Sequence, residues 1–211
     1  MLSTLHCTKF LNGPGIALFM TYAPIASAAV KVPEGVTVQV SGNKVSVKGP
    51  LGSLERDFSS LPIIIEKLDG EVNVYSYFAD RKSKAMVGTV AGHINNMILG
   101  ATRGWRYKLK VVFSHFPPMN IKVQGKQLVI ENFLGRKSKI IVPVPDGVKV
   151  QVTKDDIIVE GIDKELVSHF AANVEMATTL RGGKDRISPH GREGTPGVLD
   201  GIYVYASEFS K

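Results

Sequence analysis

Residues whose type and spacing point to chemistry are concentrated near the C-terminal end of the chain. Arg181, Lys184, Arg186 and Arg192 fall close together, diluted only by Asp185 and Glu193. Gly182 and Gly183 lie among them, and a glycine backbone lets N–H groups approach phosphate oxygens closely. The chemistry this composition serves is the holding of a polyanion. Lysine and arginine at that spacing grip a phosphate backbone rather than read bases, so affinity should fall steeply with salt.

The residue types that carry catalysis are present but badly placed for it. His93 sits near the edge of an apolar helical stripe, with no nucleophile at a supporting spacing. Asp155-Asp156 lies between two predicted strands, where acids favour a turn. Gly191, Gly194 and Gly197 superficially resemble a phosphate cradle, yet no predicted strand leads into them and no helix follows, so neither a dinucleotide fold nor a P-loop is supported. No nucleophile-elbow or metalloprotease motif occurs. The five histidines (His6, His93, His115, His169 and His190) are scattered without metal-ligand spacing. Cys7, the single cysteine, excludes an internal disulfide or a cysteine zinc site. Neither an enzyme nor a cofactor is indicated, and there is no small-molecule site to assign.

Composition agrees with an anionic partner. The 211 residues contain 26 Lys and Arg against 19 Asp and Glu, a net charge of +7, and 44% are hydrophobic, enough for real cores. No run reaches the roughly 20 apolar residues that a membrane-spanning helix needs.

The elements that must position the basic strip are short strands and two helices. Val36, Val38 and Val40 alternate with polar residues, Gly42-Asn43 marks a turn, and Val45 and Val47 resume the alternation. Ile63-Ile-Ile65 and Val72-Asn-Val-Tyr75 flank Asp69-Gly70, a second hairpin signal. Asp80 opens a helix on which Val87, Val90, Ala91, Ile94, Ile98 and Ala101 share one face. Gly88 and Gly92, one turn apart, are expected to let that helix lie close on a sheet. Asp163 caps a second helix with an acidic first turn, a stripe of Leu166, Phe170, Val174 and Ala177, and a stop at Gly182-Gly183.

One plan is used twice. Ile121-Lys-Val123, Gly125, Leu128, Ile130 and Leu134-Gly135 repeat Val38-Gln-Val40, Gly42, Val45, Val47 and Leu51-Gly52 at a constant offset of 83, and the same shift carries Asp80 onto Asp163. The reading is an α+β protein of two tandem duplicated domains, each a small antiparallel sheet covered on one face by one helix, with a first repeat at 31–104 and a second at 105–211. A closer local echo, Val32-Pro-Glu-Gly-Val-Thr-Val-Gln-Val40 against Val144-Pro-Asp-Gly-Val-Lys-Val-Gln-Val152, has an offset of 112 and reads as reuse of one strand-entry device, a Pro-fixed turn that feeds an alternating strand. In the second repeat, Trp105 to Phe113 alternates apolar and basic residues. That places Arg106, Lys108 and Lys110 on one strand face, open to phosphates or simply to solvent. Arg81-Lys-Ser-Lys84 and Arg136-Lys-Ser-Lys139 are smaller basic clusters, read singly as surface.

Residues 1–30 are expected to be a disordered or mis-started extension. Ala26-Ser-Ala28 resembles a signal-peptidase site, so an exported β-rich binding protein is the alternative. Against it, Asn12-Gly-Pro-Gly15 breaks the apolar region early.

Several of these pieces resemble one known family. Val32-Pro-Glu-Gly-Val36, Val47-Lys-Gly-Pro-Leu-Gly52, Val159-Glu-Gly-Ile-Asp-Lys-Glu-Leu-Val167, Ala171-Ala-Asn-Val174, Ala177-Thr-Thr179 and Leu199-Asp-Gly-Ile-Tyr-Val204 are similar to the large-subunit ribosomal protein L6 family, and the last two resemble its archaeal and eukaryotic branch. The resemblance runs from about Val30 to the C-terminus. It implies two duplicated domains without catalytic activity, a cytoplasmic location on the ribosome, and binding of large-subunit ribosomal RNA near the sarcin-ricin loop and the stalk base, beside neighbouring ribosomal proteins. It further implies that the RNA contact at the end of the second domain corresponds here to Arg181 through Arg192. Ser188 to Gly197 departs from the usual family spacing.

Overall fold

The computed structural model describes residues 26–68, 70–77, 80–113, 118–135, 137–179 and 200–210. Thirteen strands and two α-helices are formed among the described residues. The first six strands are β1 (Ala26–Lys31), β2 (Thr37–Ser41), β3 (Lys44–Gly49), β4 (Gly52–Asp57), β5 (Ile64–Leu68) and β6 (Glu71–Ser76), followed by α1 (Arg81–Arg103). The second set is β7 (Trp105–Val112), β8 (Asn120–Gln124), β9 (Gln127–Glu131), β10 (Ile140–Pro143), β11 (Val148–Val152), β12 (Asp156–Gly161), α2 (Lys164–Thr178) and β13 (Gly201–Phe209).

The duplication is visible in the strand order. One sheet of the first set runs β1-β6-β5, and its counterpart runs β13-β7-β12-β11, the same arrangement with one strand added. The companion sheets run β2-β3-β4 and β8-β9-β10. All pairs are antiparallel, so the tandem α+β arrangement holds, with each unit's strands divided over two small sheets rather than one. The first strand reaches back to Ala26, ahead of the expected boundary at residue 31. The 112-residue echo is a turn that feeds a strand in both places, β2 and β11. Val36 N donates to Pro33 O and Val148 N to Pro145 O at 3.4 and 3.3 Å, with Gly35 and Gly147 at φ 86° and 87°, a conformation glycine adopts at no steric cost.

Alternation and helical spacing build two cores. In the first, Val45, Val47, Val72 and Val74 are fully buried against Val87, Val90, Ile94 and Ile98 of α1. In the second, Leu109, Leu128, Ile130, Ile157 and Val159 close on Val167, Phe170, Ala171 and Val174 of α2. The stripe of α2 is therefore rotated from the expected one: Val167 is inside and Leu166 is 41% exposed.

Close approach of helix and neighbour also falls elsewhere than expected. A side chain at Gly88 or Gly92 would meet nothing, because both face solvent. Gly100 is the crowded position, where a Cβ would collide with the Ile162 carbonyl oxygen, and a Cβ at Gly49 would lie 2.7 Å from the Ala101 carbonyl oxygen. These contacts seat the last turn of α1 against both its own sheet and the second unit. Further contacts hold that seam. Trp105 Nε1 donates to Asn96 O at 3.4 Å, Lys164 Nζ lies 4.6 Å above the Trp105 ring, and Ser210 N donates to Gly104 O at 3.1 Å.

Candidate nucleic-acid interface

The α2 helix ends at Thr178, short of the expected stop at Gly182-Gly183. Thr178 Oγ1 donates back to Glu175 O at 3.1 Å and accepts from Ile202 N at 3.0 Å, so the end of the helix is stitched to the start of β13. Glu175 Oε2 accepts from Val204 N at 3.3 Å and adds a second stitch. The residues that flank 180–199 are thus joined at one spot, where Thr178 and Asp200 are buried. Arg181, Gly182, Gly183, Lys184, Arg186 and Arg192, like Gly191, Gly194 and Gly197, belong to residues 180–199 and lie outside the described residues.

Arg106, Lys108 and Lys110 stand on one face of the β11-β12-β7-β13 sheet, as their alternation requires. Each has an acid from a neighbouring strand. Arg106 Nε is 2.5 Å from Glu160 Oε1 and its Nη2 donates to Ser210 O at 3.3 Å. Lys108 Nζ is 2.8 Å from Glu208 Oε2, and Lys110 Nζ is 3.3 Å from Asp156 Oδ1. Register explains two of these pairs, since Arg106 lies opposite Glu160 and Lys110 opposite Asp156. The hydrogen bond from Lys108 to Glu208 raises the lysine pKa. On the edge strand of this sheet a bulge between Val204 and Ala206 throws out Tyr205, 55% exposed.

Basic side chains at the two helix N-termini are treated differently. The Asp163 carboxylate accepts from Glu165 N at 2.9 Å and caps α2, whose first turn carries Glu165. Glu165 in turn receives a hydrogen bond from Arg56 of β4, and His93 Nδ1 of α1 lies 2.9 Å from the same oxygen. The Arg56 hydrogen bond is the main reason the Glu165 carboxyl is held below its usual pKa, against the opposing effect of partial burial. At α1 the Asp80 side chain makes no capping bond and the first turn has no acid. Arg81, Lys82 and Lys84 are exposed there and form no ion pair among the described residues.

The catalytic candidates resolve into structural parts. His93 is bracketed by Arg56 and Glu165, a charge-paired seam with no nucleophile in it. Asp155 O accepts from Val111 N at 2.9 Å and Asp156 O from Thr153 N at 2.8 Å, so the acid pair shapes a turn and a strand start. Among the described residues no three His, Cys, Asp or Glu side chains gather to hold a metal. No helix in that set is long and apolar enough to cross a membrane. What sequence reasoning missed is the partner of each β7 cation. Glu160 and Glu208 lie on strands that flank β7, and only strand order, not residue spacing, brings them there.

A family model described as "Ribosomal protein L6" matches residues 32–104 and 117–184, one segment in each repeat. The chain is 53% identical to the large ribosomal subunit protein uL6 of Pyrobaculum aerophilum, an alignment covering 86% of this chain and 95% of that protein. It is 49% identical to the same protein of Aeropyrum pernix (85% and 93% covered) and 46% identical to that of Ignicoccus hospitalis (90% and 98%).

Proposed function

We propose, from the premise that this chain belongs to the ribosomal protein L6 family, that it binds large-subunit ribosomal RNA near the sarcin-ricin loop and the stalk base, beside the ribosomal proteins there. A member of this family is a structural component of the large ribosomal subunit and not an enzyme, and its place is the cytoplasmic ribosome. The observation that carries the RNA reading is the stitching of Thr178 to Ile202 and Glu175 to Val204. Those bonds anchor both ends of a segment whose sequence supplies Arg181, Lys184, Arg186 and Arg192, with Gly182 and Gly183 between them. Two packed units serve as the rigid support, and the cations neutralise phosphates, releasing counterions. Arg106 and Lys108 add a weaker contact on the adjoining sheet face, because each already shares its charge with an acid.

The export alternative fits the fold poorly. Ala26, Ser27 and Ala28 pair with Ser76, Tyr75 and Val74, so cleavage after Ala28 would remove half of β1 from its sheet. Sedimentation of the native protein through a sucrose gradient tests the proposal. Co-migration with large subunits that disappears on ribonuclease digestion is expected, and a chain that stays at the top of the gradient would refute it.

A further inference from the structure

We infer that the outward face of the β1-β6-β5 sheet is a docking surface for a neighbouring large-subunit protein, one that presents apolar side chains and a cation. The inference rests on the ribosomal reading above and goes beyond it by giving the first repeat a partner. Alternation turns Val30, Val72, Val74 and Ile65 into the core, so the residues between them look outward. On that outward side Ile64 lies opposite Tyr75, and Leu68 opposite Glu71. Tyr77 meets the Tyr75 ring edge-on, with 5.4 Å between centroids. Ile64, Leu68 and Tyr77 are 38, 39 and 37% exposed, three large apolar side chains on one small sheet. The β1 residue opposite Tyr75 is the small Ser27, which leaves space beside the ring for a partner to fill.

The charge of this face selects a protein over RNA. In the duplicated sheet, β7 sets Arg106, Lys108 and Lys110 outward, each beside an acid. The matching face of the first repeat carries Glu66 and Glu71 against Lys31, so it is net negative in a chain of net charge +7. Lys67 turns the other way, and its Nζ donates to the Val38 carbonyl oxygen at 3.1 Å. The Glu66 carboxylate accepts from the Tyr75 hydroxyl at 2.8 Å, a neutral donor that leaves the negative charge in place. Phosphate is repelled by such a face. A lysine or arginine fits it, with an aliphatic stem for Ile64 and Leu68 and a charged head for Glu66 and Glu71. Tyrosines and aliphatic side chains with charge around them are the composition of a protein interface.

The test is photo-cross-linking inside reconstituted large subunits. A benzophenone amino acid replaces Ile64 in one full-length chain and Leu68 in another, both exposed positions where the substitution leaves the core intact. Subunits containing each chain are purified by sedimentation and irradiated, and the products are identified by mass spectrometry. Both positions should cross-link to the same ribosomal protein. A chain that also carries E66K/E71K should lose that cross-link while still sedimenting with the subunit, because the RNA contact lies on the second repeat. Cross-links to rRNA, to residues 1–25 of the same chain or to a second copy would each overturn the assignment in favour of that occupant. Subunits that contain the chain but yield no cross-link from either position would overturn it as well, and an unchanged yield in E66K/E71K would remove the charge complementarity on which it stands. Failure of the unsubstituted chain to enter large subunits would overturn the ribosomal reading and this assignment together.

Discussion

The two repeats share their strand order and part company at the ends of their helices. The α1 helix continues to Arg103 and hands the chain directly to β7 through Gly104, whereas α2 stops at Thr178 with Thr179 extended. The 83-residue shift sets Ile98, Ala101 and Arg103 of the first repeat against Arg181, Lys184 and Arg186 of the second. In the first copy, that register holds Ile98 and Ala101, buried at 2% and 0%, and Gly100 packed on Ile162. In the second, the same register carries charge and glycine. Duplication therefore supplied two scaffolds, and divergence at one register turned the first copy's helix end into a seam and the second copy's into a basic strip.

The largest expected effect comes from filling the seam. Gly100→Ala forces a methyl against the Ile162 carbonyl and should destabilise the protein by about 1 to 3 kcal/mol. Gly88→Ala and Gly92→Ala, on the open face of the same helix, should each stabilise it by up to about 1 kcal/mol. Urea denaturation midpoints of the three variants decide the matter, and equal shifts would mean that α1 has no specially close seam.

A smaller contrast concerns the helix starts. Asp163→Ala removes an engaged cap and should lower stability by about 1 kcal/mol, while Asp80→Ala, at a side chain that makes no capping bond, should leave it unchanged. Equal losses in chemical denaturation would show that the two N-termini are satisfied alike.

Much of this fold was legible in the residues. The offset of 83 carries β2 (Thr37–Ser41) onto β8 (Asn120–Gln124) and Asp80 onto Asp163, because hydrophobic alternation and caps are local signals. What stayed hidden depends on tertiary neighbours. Leu166 and Val167 are adjacent and both apolar, and only the direction from which the sheet approaches α2 decides that Val167 is inside. Gly88 and Gly92 drew attention by their spacing, yet the tight contact belongs to Gly100, whose partner Ile162 is remote in sequence. The cations of β7 looked free because Glu160 and Glu208 reach them only through strand order. For the candidate site, the basic composition of 181–192 was plain in the sequence. The anchoring of its two ends was not, since it depends on side chains of Thr178 and Glu175 meeting backbone that follows many residues later.

The central claim is that this anchored strip holds RNA phosphates. Its most direct measurement is the affinity of R181A/K184A/R186A/R192A for large-subunit rRNA across a salt titration, with circular dichroism confirming an unchanged fold. The account predicts weaker binding and a slope of log affinity against log salt reduced by about 3 to 4. An affinity and slope equal to those of the unsubstituted chain would contradict it.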